Sequence, residues 1–132
     1  VIPQFTSASE TAKSSSLTAQ LQTIRSQLEL YQVQHNGDYP TLDEMWDNLT
    51  NTTDISGATT GDDYGPYLQK APTNPFENSS TVVAAGSAAA DAGWTYDATT
   101  GEIKAVMETD KASELGFATD GTDPDVEVYG GS

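Results

Sequence analysis

The sequence predicts an α+β fold in which one long N-terminal α-helix packs on a small antiparallel β-sheet. Three observations lead to this prediction. No glycine and no further proline occur between Pro3 and Asn36, the apolar residues of that segment recur at steps of three and four, and β-forming runs appear only after residue 80. A chain of 132 residues is long enough for one compact domain. We therefore expect a single domain at 1–132, made of a helical stalk at 1–36, a loop region at 37–80, and a sheet with an acidic C-terminal region at 81–132.

The N-terminal helix is predicted from its apolar stripe. Successive members of the stripe are four, three, four and three residues apart, which places them on one helix face: Leu17, Leu21, Ile24, Leu28 and Tyr31. Ala12, Ala8 and Phe5 continue the stripe towards the N-terminus. Asn36-Gly37 suits the left-handed end of a helix. Because residues 5–36 would form a helix about 48 Å long, we expect one end to protrude from a domain of this size.

A short second helix and a packed loop are predicted next. Thr41 is the expected N-cap, with Asp43 and Glu44 in the first turn, where the helix dipole favours anions. Apolar residues predict the buried face of this helix: Met45, Trp46 and Leu49. Residues 50–80 are rich in turn-forming residues and contain large apolar side chains that we expect to anchor the loop on the core: Tyr64, Tyr67, Leu68 and Phe76.

Three strands are predicted in the last third of the chain, at 81–85, 93–96 and 102–107. The five residues at 97–101 end in glycine and suit a hairpin loop between the second and third strands. In the third strand, alternation places three apolar residues on one face: Ile103, Ala105 and Met107. The segment 108–132 is compatible both with a fourth strand bounded by loops and with a partly free tail.

Charge and composition exclude several classes of function. The chain has 20 acidic and 5 basic residues and a net charge of -15, and the segment 38–132 carries all of this excess. Such a surface repels phosphate backbones, so nucleic-acid binding is excluded. Cysteine is absent, so neither disulfides nor thiolate metal sites are expected. No apolar run reaches the roughly 18 residues that a membrane helix needs.

The candidates for catalytic chemistry favour a protein that is not an enzyme. His35 is the only histidine, and near a helix C-terminus it serves more readily as a partner of the helix dipole than as a general base. Carboxylate pairs such as Asp62-Asp63 are common in any acidic loop. The aromatic residues suit a core better than a platform for stacking sugars: Tyr64, Tyr67, Trp94 and Tyr96. Three glycosylation sequons arise easily in so Asn- and Thr-rich a sequence: Asn48, Asn51 and Asn78.

Three segments carry motifs of a known family. They are the N-terminal run 1–5, the end of the first helix with Tyr31 and Asn36-Gly37-x-Tyr39-Pro40, and the Tyr-Leu-x-x-x-Pro-x-x-Pro segment within 66–76. In these segments the chain resembles the major pseudopilins of type II secretion systems and the bacterial type IV pilin-like proteins. The signature at the end of the helix is the most specific of the three. The resemblance spans roughly residues 1–107, and it implies a pilin-like fold.

The resemblance also implies a function, which is that of a structural subunit of a filament. We expect a type II secretion pseudopilus that polymerises through the N-terminal helix. The alternative is a minor pilin or tip binding module that engages substrate, carbohydrate or another cell. Three residues near the N-terminus are candidates for helix packing in the filament: Phe5, Ala8 and Ala12. Ala8, Ala12 and the run Ser14-Ser15-Ser16 are small enough to let neighbouring helices approach closely. They also suit the plain exposed surface of a protruding helix, and this alternative stays open.

Further expectations concern partners and location. The resemblance implies a homo-polymer, contacts with other pseudopilins and with inner-membrane assembly proteins, and a mature, methylated N-terminus. That N-terminus would bring about twenty apolar residues before Val1, enough to span the inner membrane before assembly. The globular part would then lie in the periplasm or on an extracellular filament, within the bacterial cell envelope.

Major pseudopilins also bind calcium through an acidic loop near the C-terminus, and the resemblance implies such a site here. Four carboxylates within eight residues could supply oxygen ligands to Ca²⁺: Asp120, Asp123, Asp125 and Glu127. Their spacing departs from the family pattern, and no EF-hand motif is present. The alternative is a solvated acidic tail, as expected for so acidic a chain.

Overall fold

A computed structural model describes residues 2–130 of the chain, and its side chains from Glu10 onward. It contains a long helix, two short helices and four strands, in the following order: α1 (Ile2–Gln34), α2 (Met45–Thr50), β1 (Val82–Ala84), β2 (Trp94–Asp97), β3 (Glu102–Glu108), α3 (Thr109–Glu114) and β4 (Val126–Tyr129). The four strands form one sheet, on which α1 packs. The predicted α+β fold, with a long N-terminal helix on a small sheet, is confirmed.

The end of α1 follows the predicted chemistry. Asn36 and Gly37 have φ angles of 61° and 85°, which lie in the left-handed region that glycine and asparagine tolerate best. The amide of Gly37 donates to the carbonyl of Gln32 at 2.8 Å, so the last turn is closed by the bond that typifies a glycine-terminated helix. The helix therefore stops where Asn-Gly stands, and the chain turns back towards the sheet.

The sheet has the strand order β1-β2-β3-β4, and only its central pair is antiparallel. In that pair Trp94 lies opposite Ala105 and Tyr96 opposite Ile103. β1 runs parallel to β2, and β3 runs parallel to β4. The prediction of an antiparallel sheet is therefore wrong for both outer pairs. The reason is that the segments 85–93 and 109–125 each carry the chain back before the next strand begins, which is the connection that parallel pairing requires.

α2 begins later than predicted. Residues 42–44 form turns, and Glu44 occupies the N-cap position without a capping side-chain bond. The prediction of Thr41 as the N-cap is wrong, because its hydroxyl donates to the Glu44 carboxylate at 3.4 Å and not to the helix backbone. Met45 and Leu49 are buried as predicted, whereas Trp46 is only partly buried and its indole N–H donates to the carbonyl of Ser80 at 2.7 Å.

The core joins one face of α1 to one face of the sheet. The predicted apolar stripe from Leu17 to Tyr31 is buried throughout. Its partners come from α2, the sheet and α3: Met45, Leu49, Trp94, Tyr96, Ile103, Ala105, Met107, Ala112 and Val126. Trp94 and Tyr96 are fully enclosed, so the interpretation of these two rings as core is confirmed. Burial of these side chains supplies the main favourable term of folding.

The C-terminal region is folded up to residue 130. β4 is the fourth strand that the sequence left open, and it pairs along β3 from Ala105 to Glu108. The helix α3 was not predicted, and it follows β3 directly. Three of the four predicted anchors of the 50–80 loop pack against the core: Tyr67, Leu68 and Phe76. The prediction is wrong for Tyr64, which is partly buried and lies beside His35, with ring centroids 5.2 Å apart, outside the core cluster.

Candidate assembly surface and acidic segment

α1 turns a neutral face of small side chains towards solvent. The exposed members of this face recur at helical spacing: Ala12, Ser15, Ser16, Ala19, Thr23 and Ser26. The sequence contains no Asp or Glu between residues 11 and 28, although the chain as a whole is strongly acidic. A second helix can therefore approach this face closely, with little steric or electrostatic hindrance. We call it the α1 outer face.

Of the three residues predicted to pack in the filament, the structure describes the side chain of only one. Ala12 is exposed on the α1 outer face, whereas the side chains of Phe5 and Ala8 lie outside the described part of the chain. The expectation that Ala12 continues the buried stripe is wrong. At this level α1 turns Glu10 and Lys13 towards the globular part instead, and both are partly buried. A role of Ala12 in helix packing between subunits stays a prediction.

A charged groove lies where α1 meets α3. The Lys111 ammonium nitrogen lies 3.5 Å from a carboxylate oxygen of Glu10 and 3.6 Å from one of Glu114. Close by, the Tyr129 hydroxyl donates to the Glu77 carboxylate at 3.0 Å. Burial raises the pKa of Glu77 above its ordinary value. Burial and the bond to Glu77 together raise the pKa of Tyr129 to about 12.

Among the helices of the described segment, none combines the length and the hydropathy of a membrane span.

The acidic C-terminal segment is fastened to α1 by one arginine. A guanidinium nitrogen of Arg25 lies 2.8 Å from a carboxylate oxygen of Asp125. The second guanidinium nitrogen donates to the carbonyls of Ile103 at 2.9 Å and of Pro124 at 2.6 Å. Arg25 therefore joins α1 to both β3 and the start of β4. In the sequence, Arg25 is marked only as a lone cation in an otherwise neutral part of the helix.

The other three predicted metal ligands also have protein partners. The Glu127 carboxylate accepts the amides of Gly86 and Ala88 at 2.9 Å and 3.1 Å, in the turn after β1. The Asp123 carboxylate accepts the amides of Ala118 and Asp125. The Asp120 carboxylate accepts the side chain and amide of Thr122, and these bonds lower its pKa. Each of these three carboxylates thus stabilises a turn by accepting hydrogen bonds from its backbone amides.

In this arrangement the four carboxylates do not fit a calcium site. Within residues 2–130, no group of three or more ligating side chains is placed so that it could hold a metal ion. Binding of Ca²⁺ by this segment would require Asp125 to leave Arg25 and Glu127 to leave the two amides. Calcium binding therefore stays a prediction of the resemblance alone.

His35 is held in the core by stacking and by hydrogen bonds. It is buried, and its ring stacks on Tyr31 with the centroids 3.7 Å apart and the planes within 6°. Its Nδ1 lies 2.7 Å from the carbonyl oxygen of Tyr31, and its Nε2 lies 2.8 Å from the hydroxyl of Thr53. Both ring nitrogens are engaged by the protein, so this histidine ties the end of α1 to the loop after α2.

The comparison with protein families decides the identity of the chain. The family model described as type II secretion system (T2SS), protein G, matches residues 4–99. The chain belongs to the type II secretion system protein G family. The resemblance to major pseudopilins that the helix-end signature indicated is therefore confirmed. No curated protein and no solved structure matches the chain.

Membership of the protein G family gives the chain a pseudopilin role in type II secretion and a place in the bacterial cell envelope. The family is a structural one. The family match covers α1, α2, the loop and the first two strands, and it ends at residue 99, before β3. The acidic segment and the carboxylate that pairs with Arg25 lie beyond the matched part of this pseudopilin.

Proposed function

We propose that this pseudopilin is a structural subunit of the type II secretion pseudopilus and that it polymerises through α1. The α1 outer face carries this proposal, since it is exposed, lacks acidic residues and consists of small side chains from Ala12 to Ser26. Small side chains allow two helix backbones to approach closely, and this closeness increases dispersion contacts between them. The acidic globular part stands outside the bundle of helices.

The distribution of charge supports this arrangement. Residues 38–132 carry the entire net charge of -15, whereas residues 1–37 sum to zero. If the acidic parts were packed in the middle of a filament, their repulsion would act at short range in a medium of low dielectric constant. On the outside, solvent and salt screen the same charges beyond about 8 Å. Neutral helices inside and acidic domains outside are therefore the arrangement of lower energy.

The remaining parts of the proposal concern the membrane and the partners. We propose that about twenty apolar residues precede Val1 in the mature subunit and anchor it in the inner membrane before assembly. The globular part then lies in the periplasm, where the subunit meets its own copies, other pseudopilins and the inner-membrane assembly proteins. The coding sequence upstream of Val1 tests this point. A short basic leader that ends in glycine, followed by Phe or Met and the apolar segment, is expected, and its absence would contradict the anchor.

Polymerisation is tested with substitutions on the α1 outer face. The variants Ala12→Arg and Ser16→Arg place a long cation where two helices should touch, while the exposed loop residue Thr59 provides the matched control Thr59→Arg. We expect that both helix variants of the full-length subunit form few or no filaments and that the control forms them normally. Filaments are counted by electron microscopy of sheared cells.

Thermal unfolding of the 132-residue domain accompanies each filament count, because a variant that fails to fold would also fail to assemble. Melting temperatures of all variants are expected within about 2 °C of the wild type, since the substituted residues are exposed. Normal filaments from Ala12→Arg and Ser16→Arg would contradict assembly through this face. A wild-type subunit present in only a few copies per filament would favour the tip binding module instead.

A further inference from the structure

Two large apolar side chains are exposed near the end of α1. Leu30 is 43% exposed and Val33 is 76% exposed, and their spacing of three residues makes them neighbours on the helix surface. They continue the α1 outer face at steps of four, three, four and three residues: Ala19, Thr23, Ser26, Leu30 and Val33. Among the residues that the structure describes, the only other large apolar side chain of such exposure is Ile55, in a loop. We call Leu30 and Val33 the apolar pair.

A small notch lies beside the same face, nearer the N-terminus of α1. Its volume is about 260 Å³, below the range of sites that bind drug-sized ligands, so it suits a single side chain. The helix contributes Ser16, Ala19 and Thr23 to the wall, and the loop contributes Pro72. The Ser16 hydroxyl accepts from the Gln20 amide at 3.4 Å, and the Thr23 hydroxyl donates to the Ala19 carbonyl at 3.1 Å. Because both hydroxyls have partners within α1, the notch favours an apolar occupant.

The charges around these two features favour a second copy of the chain as the partner. Residues 30–34 are uncharged, and so are the described residues that line the notch. Two copies with a net charge of -15 repel each other wherever their acidic surfaces meet, so contact through uncharged surfaces costs least. Glu29 is exposed beside the apolar pair, and Lys70 is exposed two residues before Pro72. Docking of the pair in the notch therefore brings an acid of one copy towards a base of the other.

We propose that the apolar pair of one subunit docks in the notch of a second copy of this chain. This inference rests on the proposed function, polymerisation through α1, and gives that contact a register. Val33 lies ten residues after Thr23, so parallel helices in this contact are offset by about 15 Å along their axes. The two docking surfaces differ, so every copy can use both at once. Since each contact also moves the next copy along the axis, the array cannot close into a ring and extends as a filament.

The test is disulfide cross-linking, because the sequence contains no cysteine that would compete. Full-length subunits carry Thr23→Cys, Val33→Cys or both, and their oxidised products are resolved on non-reducing gels. Within one subunit the two positions are about 15 Å apart, beyond the roughly 7 Å between Cα atoms that a disulfide spans, so any bridge joins two copies. We expect a ladder of dimers, trimers and larger species from the double variant and monomers from each single variant. The control pair Thr23→Cys with Thr59→Cys should give at least about tenfold less cross-linked product.

Three results would overturn the proposal. Dimers from either single variant would mean that like surfaces meet, and a ladder no stronger than that of the control would mean random collision. Filaments of the double variant that form under reducing conditions, but give no ladder on oxidation, would contradict the register and leave assembly through α1 intact. A wild-type chain that forms no filaments would contradict the proposed function as well.

A second pair of variants keeps the test decisive if the cysteine variants assemble poorly. Val33→Glu and Thr23→Lys each place a charge in the contact, and each should lower the number of filaments at least about tenfold. Their combination should restore about half of the wild-type number or more, because the two introduced charges then face each other. Loss of filaments in both single variants without rescue would support assembly through α1 and overturn docking of the apolar pair in the notch.

Discussion

Replacing Arg25 by methionine removes the link between α1 and the acidic segment while it retains an apolar stem of similar length. Three hydrogen bonds are lost, to Asp125 at 2.8 Å, Ile103 at 2.9 Å and Pro124 at 2.6 Å. The side chains of Arg25 and Asp125 are 34% and 30% exposed, so water competes with the ion pair. The change therefore tests how far a single residue stabilises the region from β3 to β4.

The magnitude follows from these contacts. A partly exposed ion pair contributes about 0.5–1 kcal/mol, and each bond from the guanidinium to a carbonyl contributes about 1 kcal/mol after solvent is taken into account. The expected loss of unfolding free energy is therefore about 2.5–3 kcal/mol. For a domain of this size, 1 kcal/mol corresponds to roughly 3.6 °C in melting temperature, so the midpoint should fall by roughly 9–11 °C.

The assay combines thermal unfolding by circular dichroism with hydrogen exchange followed by mass spectrometry. Exchange should become faster at β4 and at the amide of Ala105, which donates to the carbonyl of Asp125 at 2.9 Å. The control is Lys70→Met, which removes a cation from an exposed position. A double-mutant cycle of Arg25→Met with Asp125→Asn should give a coupling of about 0.5–1 kcal/mol.

If Arg25→Met lowers the melting temperature by no more than the Lys70 control does, Arg25 does not stabilise the region from β3 to β4. An unchanged exchange rate at β4 would likewise show that the strand pairing alone holds the segment. A coupling of zero in the cycle would mean that the two carbonyl bonds, and not the ion pair with Asp125, account for any loss.

Three further predictions concern pH, the core and calcium. The raised pKa of Glu77 means that, at pH values between its pKa in the unfolded chain and its pKa in the folded protein, the folded protein binds more protons, so stability falls as the pH rises through that window. Glu77→Gln should therefore have a higher melting temperature than the wild type at pH 7, and the melting temperatures of the two proteins should converge below about pH 4. A lower melting temperature of Glu77→Gln at pH 7 would contradict this. His35→Ala should lower the free energy of unfolding by about 3 kcal/mol in urea titrations, because it leaves a cavity and removes two buried bonds; a loss below about 1 kcal/mol would contradict the structural role. If the acidic segment binds Ca²⁺, millimolar Ca²⁺ must raise the melting temperature and the pair Asp123→Ala with Asp125→Ala must abolish the rise; no shift would dismiss the site.

Sequence alone predicted the elements whose signals are local. The stripe from Leu17 to Tyr31 fixed α1 because a helix of this length repeats its period many times. Asn36-Gly37 marked its end because few other residues adopt the left-handed angles found there. The hairpin from β2 to β3 was also predicted from a local signal, because a five-residue loop that ends in Gly101 suits a reversal of the chain.

The candidate sites were predicted less well. Of the α1 outer face, the sequence indicates only Ala12, Ser15 and Ser16, as small residues near the N-terminus. The carboxylates from Asp120 to Glu127 are compatible in sequence both with calcium ligands and with a solvated acidic tail. Their actual partners are Arg25 and the amides after β1, which lie far away along the chain. In the sequence Asn48 stands out only as part of an Asn-x-Thr sequon, and its burial beside Tyr31 is a result of the tertiary structure.

The sequence by itself determined that a long helix covers a small sheet, where that helix stops, and, through the signature at its end, the family. Only the tertiary structure decided the direction of the outer strands, the presence of α3 and the pairing of Arg25 with Asp125. Helix periodicity and turn chemistry depend on residues within a few positions of each other. Strand direction and ion pairing depend instead on contacts between segments that are distant in sequence, and these contacts are determined by the packing of the whole chain.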